Sequence, residues 1–411
     1  MILSYKYRIE PNATQATALD AMLGDFCQLY NAGLEQRVEA YRKTANARNE
    51  MVWGTWTDKR GREHEGYIRR HLAKVETEPS AVVKCYDQIT CLPKIRRDAP
   101  DTHGRWSCSA QQQILRRLDK AFKAFLGRIR RGEKPGFPRF RARDRFHAAE
   151  FRVGDGLTIR KSGKLGFVGV PGEIKVRWHR ELPSKPSSAI LTRQAGKWHV
   201  VFHVEVAPVE RASPDSVGID LGLSSLAALS NGETIDRPNI TKRNAKKLRK
   251  LQRALARCKR GSKVRRKRKA AVAKLQAHIG NARRDFLHNR TREIVNRFGR
   301  IAIEDLNIKG LAAGMLAKHV HDASWAQLTA MLDYKAANAG VEIVRVDPRG
   351  TSQMCPDCGI IAAKTLAERE HRCDCGCVLD RDVAAAMVVH FRAFGFWPGA
   401  GLGSLSERVA A

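Results

Sequence analysis

The first ten residues, "MILSYKYRIE", alternate apolar and polar side chains, the period of a half-buried strand. Pro11-Asn12 follows, with Gln15 three residues after the asparagine, the pattern of a reciprocal helix N-cap. Leu19, Met22, Leu23, Phe26, Leu29, Tyr30 and Leu34 then recur at three- and four-residue steps, which predicts a helix with one apolar face. Residues up to about 130 read as mostly helical, with an irregular polar stretch around Trp53 to His64. The last helix there, "AQQQILRRLDKAFKAFLGRIRRG", carries its arginines and lysines outside and stops at Gly132. After "GEKPGFPRFRARDRF" the period becomes two. "EFRVGDGLTIRKSGKLGFVGVPGEIKVRW" and "SAILTRQAGKWHVVFHVEVAP" alternate between glycine turns and predict antiparallel sheet, in the form of a small barrel.

At Val217 the pattern changes again. "SVGIDLGLSSLAALSNGETI" reads as two strands around a glycine-rich turn. Two helices follow, with Leu248, Leu251 and Leu255 on one seam, Val272, Leu275, Ile279 and Phe286 on the other, and Gly261 between them. "RIAIEDL" is a short buried strand, "WAQLTAMLDYKAANAG" a helix, "VEIVRVDP" a strand and "DVAAAMVVHFRAFGF" a helix. That order predicts a mixed α/β core. The last dozen residues, rich in glycine and serine, read as loose.

Charge narrows the partners. The chain has 411 residues, of which 75 are Lys or Arg and 42 Asp or Glu, a formal charge of +33. Such a surplus sets up a field that binds polyanions whatever their sequence. No acidic residue occurs between Asp236 and Asp285, where a solvated surface would mix signs. No apolar run reaches the ~18–20 residues of a membrane-spanning helix. The N-terminus has no long apolar segment of the secretory kind, so an intracellular, cytoplasmic chain is expected. Disulfides are not expected there. Of the ten cysteines, Cys27, Cys85, Cys91, Cys108 and Cys258 stand without ligand spacing and read as small hydrophobes.

The other five form a cluster. Cys355-Pro-Asp-Cys358 is a C-x2-C pair, and "CDCGC" supplies Cys373, Cys375 and Cys377 after a hairpin-length loop. Two such knuckles present four thiolates tetrahedrally to zinc in a closed, structural site. Cys355, Cys358, Cys373 and Cys375 are the favoured ligands; Cys377 in place of Cys375 is the alternative, and His371 a weaker one.

Three acids stand at strand ends or a helix start in the α/β half: Asp220 in "GIDLG", Glu304 in "AIEDL" and Asp382 in "DRD". A carboxylate among apolar strand residues is costly unless it holds a cation. Three that converge would suit two Mg²⁺ ions hydrolysing a phosphodiester, one ion generating hydroxide and the other steadying the leaving oxygen. Singly, each acid is as readily a cap or an ion-pair partner; Asp305 and Asp380 are the adjacent decoys.

The succession "GIDLG", "IAIEDL", "TSQMCPDCG" and "CGCVLDRD" resembles the TnpB proteins of insertion-sequence transposons, RNA-guided DNA nucleases related to compact type V CRISPR effectors. "RIEPNATQ", "LYNAGL", "KPGFPRFR", "DFLH" and "LDYKAANAG" extend the likeness over essentially the whole chain. The resemblance implies a multidomain α/β protein: an RNase H-like (RuvC) nuclease domain with a zinc-ribbon insertion, a β-barrel wedge domain and a helical recognition lobe. The wedge takes residues 1–10 and 134–212, and the recognition lobe 11–133. The nuclease domain takes 213–350, with a basic helical hairpin at 241–298. The ribbon takes 351–379, and the last nuclease motif and tail 380–411.

By motif, Asp220, Glu304 and Asp382 take the three catalytic places and hold Mg²⁺, with Mn²⁺ as a substitute. The partners implied are a guide RNA from the transposon end and target double-stranded DNA, with the protein as a monomer. Phosphate contacts are expected from Arg139 and Arg141 and from Lys246, Lys247, Arg249, Lys250, Arg253, Arg265, Arg266, Lys267 and Arg268. The alternatives are a CRISPR effector with the same chemistry and a guide-directed DNA-binding repressor that does not cut. Two departures from the family pattern stand out. Ala384 replaces an asparagine in "DRDVAAA", and "CDC" is one residue short of C-x2-C.

Overall fold

The computed structural model describes residues 1–411 except 70–82, 208, 210–212, 223, 312–323, 366–367 and 399–411, so the glycine- and serine-rich tail lies outside the described residues. The chain divides into two units, Ile2–Glu205 and Val206–Ala411 with Met1.

In the first unit, β1 (Ile2–Glu10) leads into α1 (Ala13–Asn49). The N-cap box forms as the spacing predicts: Gln15 N donates to Asn12 Oδ1 at 2.9 Å, and Asn12 N to Gln15 Oε1 at 3.0 Å. Gln15 Nε2 also donates to Pro171 O at 3.0 Å, which pins the helix start to the sheet. The predicted apolar face, Leu19 through Leu34, is buried.

The stretch read as irregular and polar is instead a β-hairpin, β2 (Met51–Thr57) with β3 (Glu63–Arg69). Cross-strand aromatic contacts hold it: Trp53 meets Tyr67 edge-on at 5.4 Å, and Trp56 stacks on His64 at 4.7 Å. Asp58 closes the turn by accepting from the Arg60 and Arg62 amides. The helices α2 (Cys85–Thr90), α3 (Leu92–Asp98) and α4 (Cys108–Arg130) follow. Ser107 caps α4, whose Ile114, Leu115, Leu118 and Phe122 are buried. A partly buried ion pair, Arg37 to Asp119 at 2.8 Å, joins α1 to α4.

The remaining strands are β4 (Ala148–Val153), β5 (Gly156–Ile159), β6 (Leu165–Phe167), β7 (Lys175–Arg177), β8 (Ser188–Gln194) and β9 (Lys197–Glu205). Together with β1 they form one sheet in the order β6-β5-β4-β8-β9-β1-β7. A bridge between Leu165 and Ile174 joins its two edges, so the sheet closes as the barrel expected. Tyr7, Leu165, Ile174, Leu191, Phe202 and Val204 fill the interior.

In the second unit, β10 (Ser216–Asp220), β11 (Ala227–Leu229) and β12 (Thr234–Ile235) precede the helical hairpin α5 (Ile240–Ala256) and α6 (Lys263–Arg297). Then come β13 (Arg300–Glu304), α7 (Ile308–Leu311), α8 (Trp325–Ala339) and β14 (Glu342–Val346). The small hairpin β15 (Glu370–Arg372) and β16 (Val378–Asp380) runs directly into α9 (Arg381–Phe394). The sheet order is β12-β11-β10-β13-β14, with β10, β13 and β14 parallel, as the mixed α/β reading requires.

Strand alternation divides the two faces. Val217, Ile219, Ile301 and Ile303 pack against Leu287 and Ile294 of α6 and Trp325, Leu328 and Leu332 of α8. Ala302 packs with Val389 of α9 on the other face. Gly218 also lies there: a Cβ on it would sit 2.2 Å from Ala386 O, so only glycine lets α9 approach this closely. "DFLH" and "LDYKAANAG" meet where α6 touches α8. There the buried Lys335 Nζ donates to His288 O at 2.6 Å and Thr291 Oγ1 at 2.7 Å. Burial brings that ammonium down to about 8. Among the described residues no helix is long and apolar enough to cross a membrane.

Candidate active site and metal centre

Asp220 and Glu304 occupy the last positions of adjacent parallel strands, one residue beyond the pair Ile219–Ile303. By the two-residue period of a strand they point to the same face as Gly218 and Ala302, which is the face α9 covers. Asp382 stands in the first turn of α9 and completes the group; its Oδ2 lies 3.0 Å from where a Cβ on Gly222 would be. Glu304 is buried, while Asp220 and Asp382 each keep a partly exposed edge. Burial, then the charges of Glu304 and Asp382, push the Asp220 carboxyl well above the ordinary carboxylate range. Burial also raises Glu304, against a hydrogen bond from Thr351, and it raises Asp382, with Asp380 adding to the rise. Three carboxyls that resist ionising together form a site that calls for a cation.

The neighbouring acids have other work. Asp380 is the N-cap of α9, its side chain accepting from Asp382 N at 2.9 Å and Val383 N at 3.1 Å. Asp305 is exposed, at 4.0 Å from Arg345. Ala384, where the family carries asparagine, is buried in α9.

The sequence reading missed Thr351, whose buried hydroxyl donates to Glu304 Oε1 at 2.6 Å. The one signal for it was its place in "TSQ", just ahead of the first cysteine. It also missed Arg381, which donates to Thr365 O and Glu368 O and so ties the start of α9 to the cysteine segment.

The cysteine segment brings Cys355, Cys358, Cys373 and Cys375 together, with Cys355–Cys375 sulfurs 3.6 Å apart and Cys358–Cys373 3.5 Å. Tetrahedral Zn–S bonds of ~2.3 Å imply sulfurs ~3.8 Å apart, so four thiolates here fit such an ion. Gly359 and Gly376 turn at positive φ, 74° and 92°, one in each knuckle. Cys377 lies inward, in a second group with Cys355 and His371. Burial raises the Cys355 thiol, but the Cys358 and Asp357 amides outweigh it and bring it to about 6. Cys375 stands at about 12: the Cys377 amide lowers it, but burial and the crowding of Cys373, Cys358 and Cys355 raise it more. Binding a dication would therefore displace protons from the cluster. Of the scattered cysteines Cys27 is buried, but Cys91 is exposed, at the junction of α2 and α3, and is no core hydrophobe.

Lys246, Lys247, Arg249, Lys250 and Arg253 are exposed on α5, and Arg266, Lys267 and Arg268 on α6. Arg265 departs from this set. It is half-buried, and its Nη1 donates to Leu255 O at 3.0 Å and Cys258 O at 3.1 Å, capping the end of α5. Arg139 and Arg141 are exposed. The Arg141 backbone is clasped by Asn31, which donates to its carbonyl at 2.8 Å and accepts from its amide at 2.9 Å.

Comparison with known proteins agrees over most of the chain. The OrfB_IS605 family, described as "Probable transposase", matches residues 199–314, a Cas12f1-like TNB domain matches 325–389, and a helix-turn-helix domain matches 1–46. A Streptomyces pristinaespiralis protein named "Putative RNA-guided DNA endonuclease" is 32% identical over 391 residues, 93% of this chain and 87% of the relative. Escherichia coli "Putative RNA-guided DNA endonuclease InsQ" is 30% identical, over 64% of this chain and 68% of the relative. Among solved structures, a Cas12f1–sgRNA–target DNA complex shares the fold, with a TM-score of 0.53 at 14% identity over 92% of this chain and 82% of that one.

Proposed function

We propose, from the premise that this chain belongs to the TnpB family of RNA-guided DNA endonucleases, that Asp220, Glu304 and Asp382 are the catalytic carboxylates of a single RuvC-like site. The observation that carries this is the placing of Asp220 and Glu304 on neighbouring strand ends beneath Asp382, with the Asp220 carboxyl raised by burial and then by both other charges. Two Mg²⁺ ions held between these groups would activate water and neutralise charge on the leaving oxygen. The chain's own residues arrange the three carboxylates. Gly218 admits α9, the Asp380 cap fixes its first turn, and Thr351 holds Glu304.

The finer organisation belongs to the same reading. The closed barrel of β1 and β4–β9 is a wedge domain, and α1–α4 with the β2–β3 hairpin form a recognition lobe. The cysteine segment is a zinc ribbon on Cys355, Cys358, Cys373 and Cys375. A guide RNA from the transposon end pairs with one strand of double-stranded DNA, and the protein reads a short flanking motif and the heteroduplex shape. The exposed lysines and arginines of α5 and α6, with Arg139 and Arg141, contact phosphates. The protein acts as a monomer in the prokaryotic cytoplasm.

Ala384 leaves one rival, a guide-directed repressor that binds without cutting, but all three carboxylates stand in place. Sequencing the RNA that co-purifies, then offering matched plasmid DNA with Mg²⁺, decides between them. The expected result is cutting by the wild type, with RNA-dependent binding and no cutting by Asp220→Ala. Cutting at wild-type rate by that variant would sink the assignment, and matched DNA bound but never cut by the wild type would favour the repressor.

A further inference from the structure

Resting on that nuclease reading, we infer that Thr351 is a positioning residue: it aims the Glu304 carboxylate and makes that aim depend on the metal-holding cysteine segment. The Glu304 backbone is fixed by the sheet, with Asp305 N donating to Val346 O at 2.9 Å. Its carboxylate lies three rotatable bonds further out. Among the described residues the hydrogen bond recorded to that carboxylate comes from Thr351, at 2.6 Å, between side chains that are 4% and 6% exposed. Pro348 O, 3.0 Å from the same hydroxyl, is the alternative acceptor for its single proton, and the shorter contact is the one to Glu304. A β-branched threonine has little χ1 freedom to lose in taking this place.

Thr351 is itself held from two directions. On the sheet side, Arg392 of α9 donates to Asp347 O at 2.9 Å and Arg349 O at 2.7 Å, and Gly350 turns at φ 72°. On the other side the chain runs straight into the first cysteine knuckle. Gln353 N and Met354 N both donate to Gly350 O at 3.1 Å, Cys355 N to Ile360 O at 2.9 Å, and Gly359 N to Cys355 O at 3.0 Å. Cys355 is four residues from Thr351 and belongs to the four-sulfur group. Loss of the ion from that group releases the knuckle, and with it one of the two anchors of the Glu304 hydrogen-bond donor. Removal of such a supporting bond typically weakens metal binding about 10–100-fold.

The test compares Thr351→Val, Thr351→Ser, Cys358→Ser and the Thr351→Val/Cys358→Ser double variant, each as the full chain with its RNA. Mn²⁺ binding is read by electron paramagnetic resonance, with Asp220→Asn as the blank. The Mg²⁺ concentration for half-maximal cutting is the second readout. Thr351→Val should weaken Mn²⁺ binding and raise the Mg²⁺ requirement about tenfold or more, with RNA affinity unchanged. Thr351→Ser should recover most of the loss. Cys358→Ser should shift both readouts in the same direction, and the double variant should be little worse than Cys358→Ser alone. Wild-type Mn²⁺ binding by Thr351→Val would overturn the inference. So would a serine variant as impaired as the valine, or fully additive effects in the double variant. The nuclease reading fails separately, through cutting by Asp220→Ala, while the Mn²⁺ measurement needs no cutting.

Discussion

At the scale of single residues, the strand-end places of Asp220 and Glu304 were legible because their sequence neighbours are. Gly218-Ile219-Asp220 and Ala302-Ile303-Glu304 each put a bulky residue on one face and a small one, then an acid, on the other. That pattern lets a helix lie close and leaves the acid at its edge. Which aspartate of "DRD" faces the cavity was not decided by alternation; the resemblance chose Asp382, and the N-cap role of Asp380 gives the physical reason. Thr351 stayed hidden because a hydroxyl reaching a glutamate 47 residues away leaves no local pattern.

Asp220→Asn should abolish cutting and also stabilise the metal-free protein. The folded-state carboxyl is raised, so its contribution to stability is fully present below the unfolded value near 3.8 and is lost as pH rises through the folded value. The variant lacks that loss. In differential scanning calorimetry without divalent ions its Tm should exceed the wild type's by about 2–4 °C, a gap that widens as pH rises above the unfolded value near 3.8. Mg²⁺ should narrow it by stabilising only the wild type. Gly218→Ala, in contrast, must move α9 or the strand and should cost about 1–3 kcal/mol by urea unfolding.

At the scale of elements, strong periodicity made the long helices and the barrel strands readable, down to the Asn12–Gln15 cap. The β2–β3 hairpin was not readable. Its strands hold together by aromatic pairs across the ladder, and a stretch read for polarity alone loses that cue. Composition also overcounted the basic hairpin: Arg265 looks like its neighbours in sequence but closes the α5–α6 turn. Two variants separate the roles. Arg266→Ala/Lys267→Ala/Arg268→Ala should weaken RNA binding and flatten the slope of log affinity against log salt by about one per lost contact. Arg265→Ala should lower the Tm while leaving that slope nearly unchanged.

At the scale of the whole molecule, the class was visible early, since a charge of +33 points to a polyanion before any fold is known. The fourth sulfur of the cysteine cluster was the open point, and the geometry favours Cys375 over Cys377. Metal content by mass spectrometry should fall in Cys375→Ala and stay near one ion per chain in Cys377→Ala. Stripping the ion with a strong chelator should expose Cys355, Cys358, Cys373 and Cys375 to thiol reagents and abolish cutting.

The barrel pairs Ile2 of β1 with Glu205 of β9, and the last carboxylate follows the cysteine segment. A chain emerging from the ribosome therefore leaves most of its first strand unpaired until β9 has been synthesised, since β7 matches only Arg8–Glu10. On the proposed assignment the catalytic set is complete only once residue 382 has been added, so translation that stalls earlier would release a fragment without its third carboxylate.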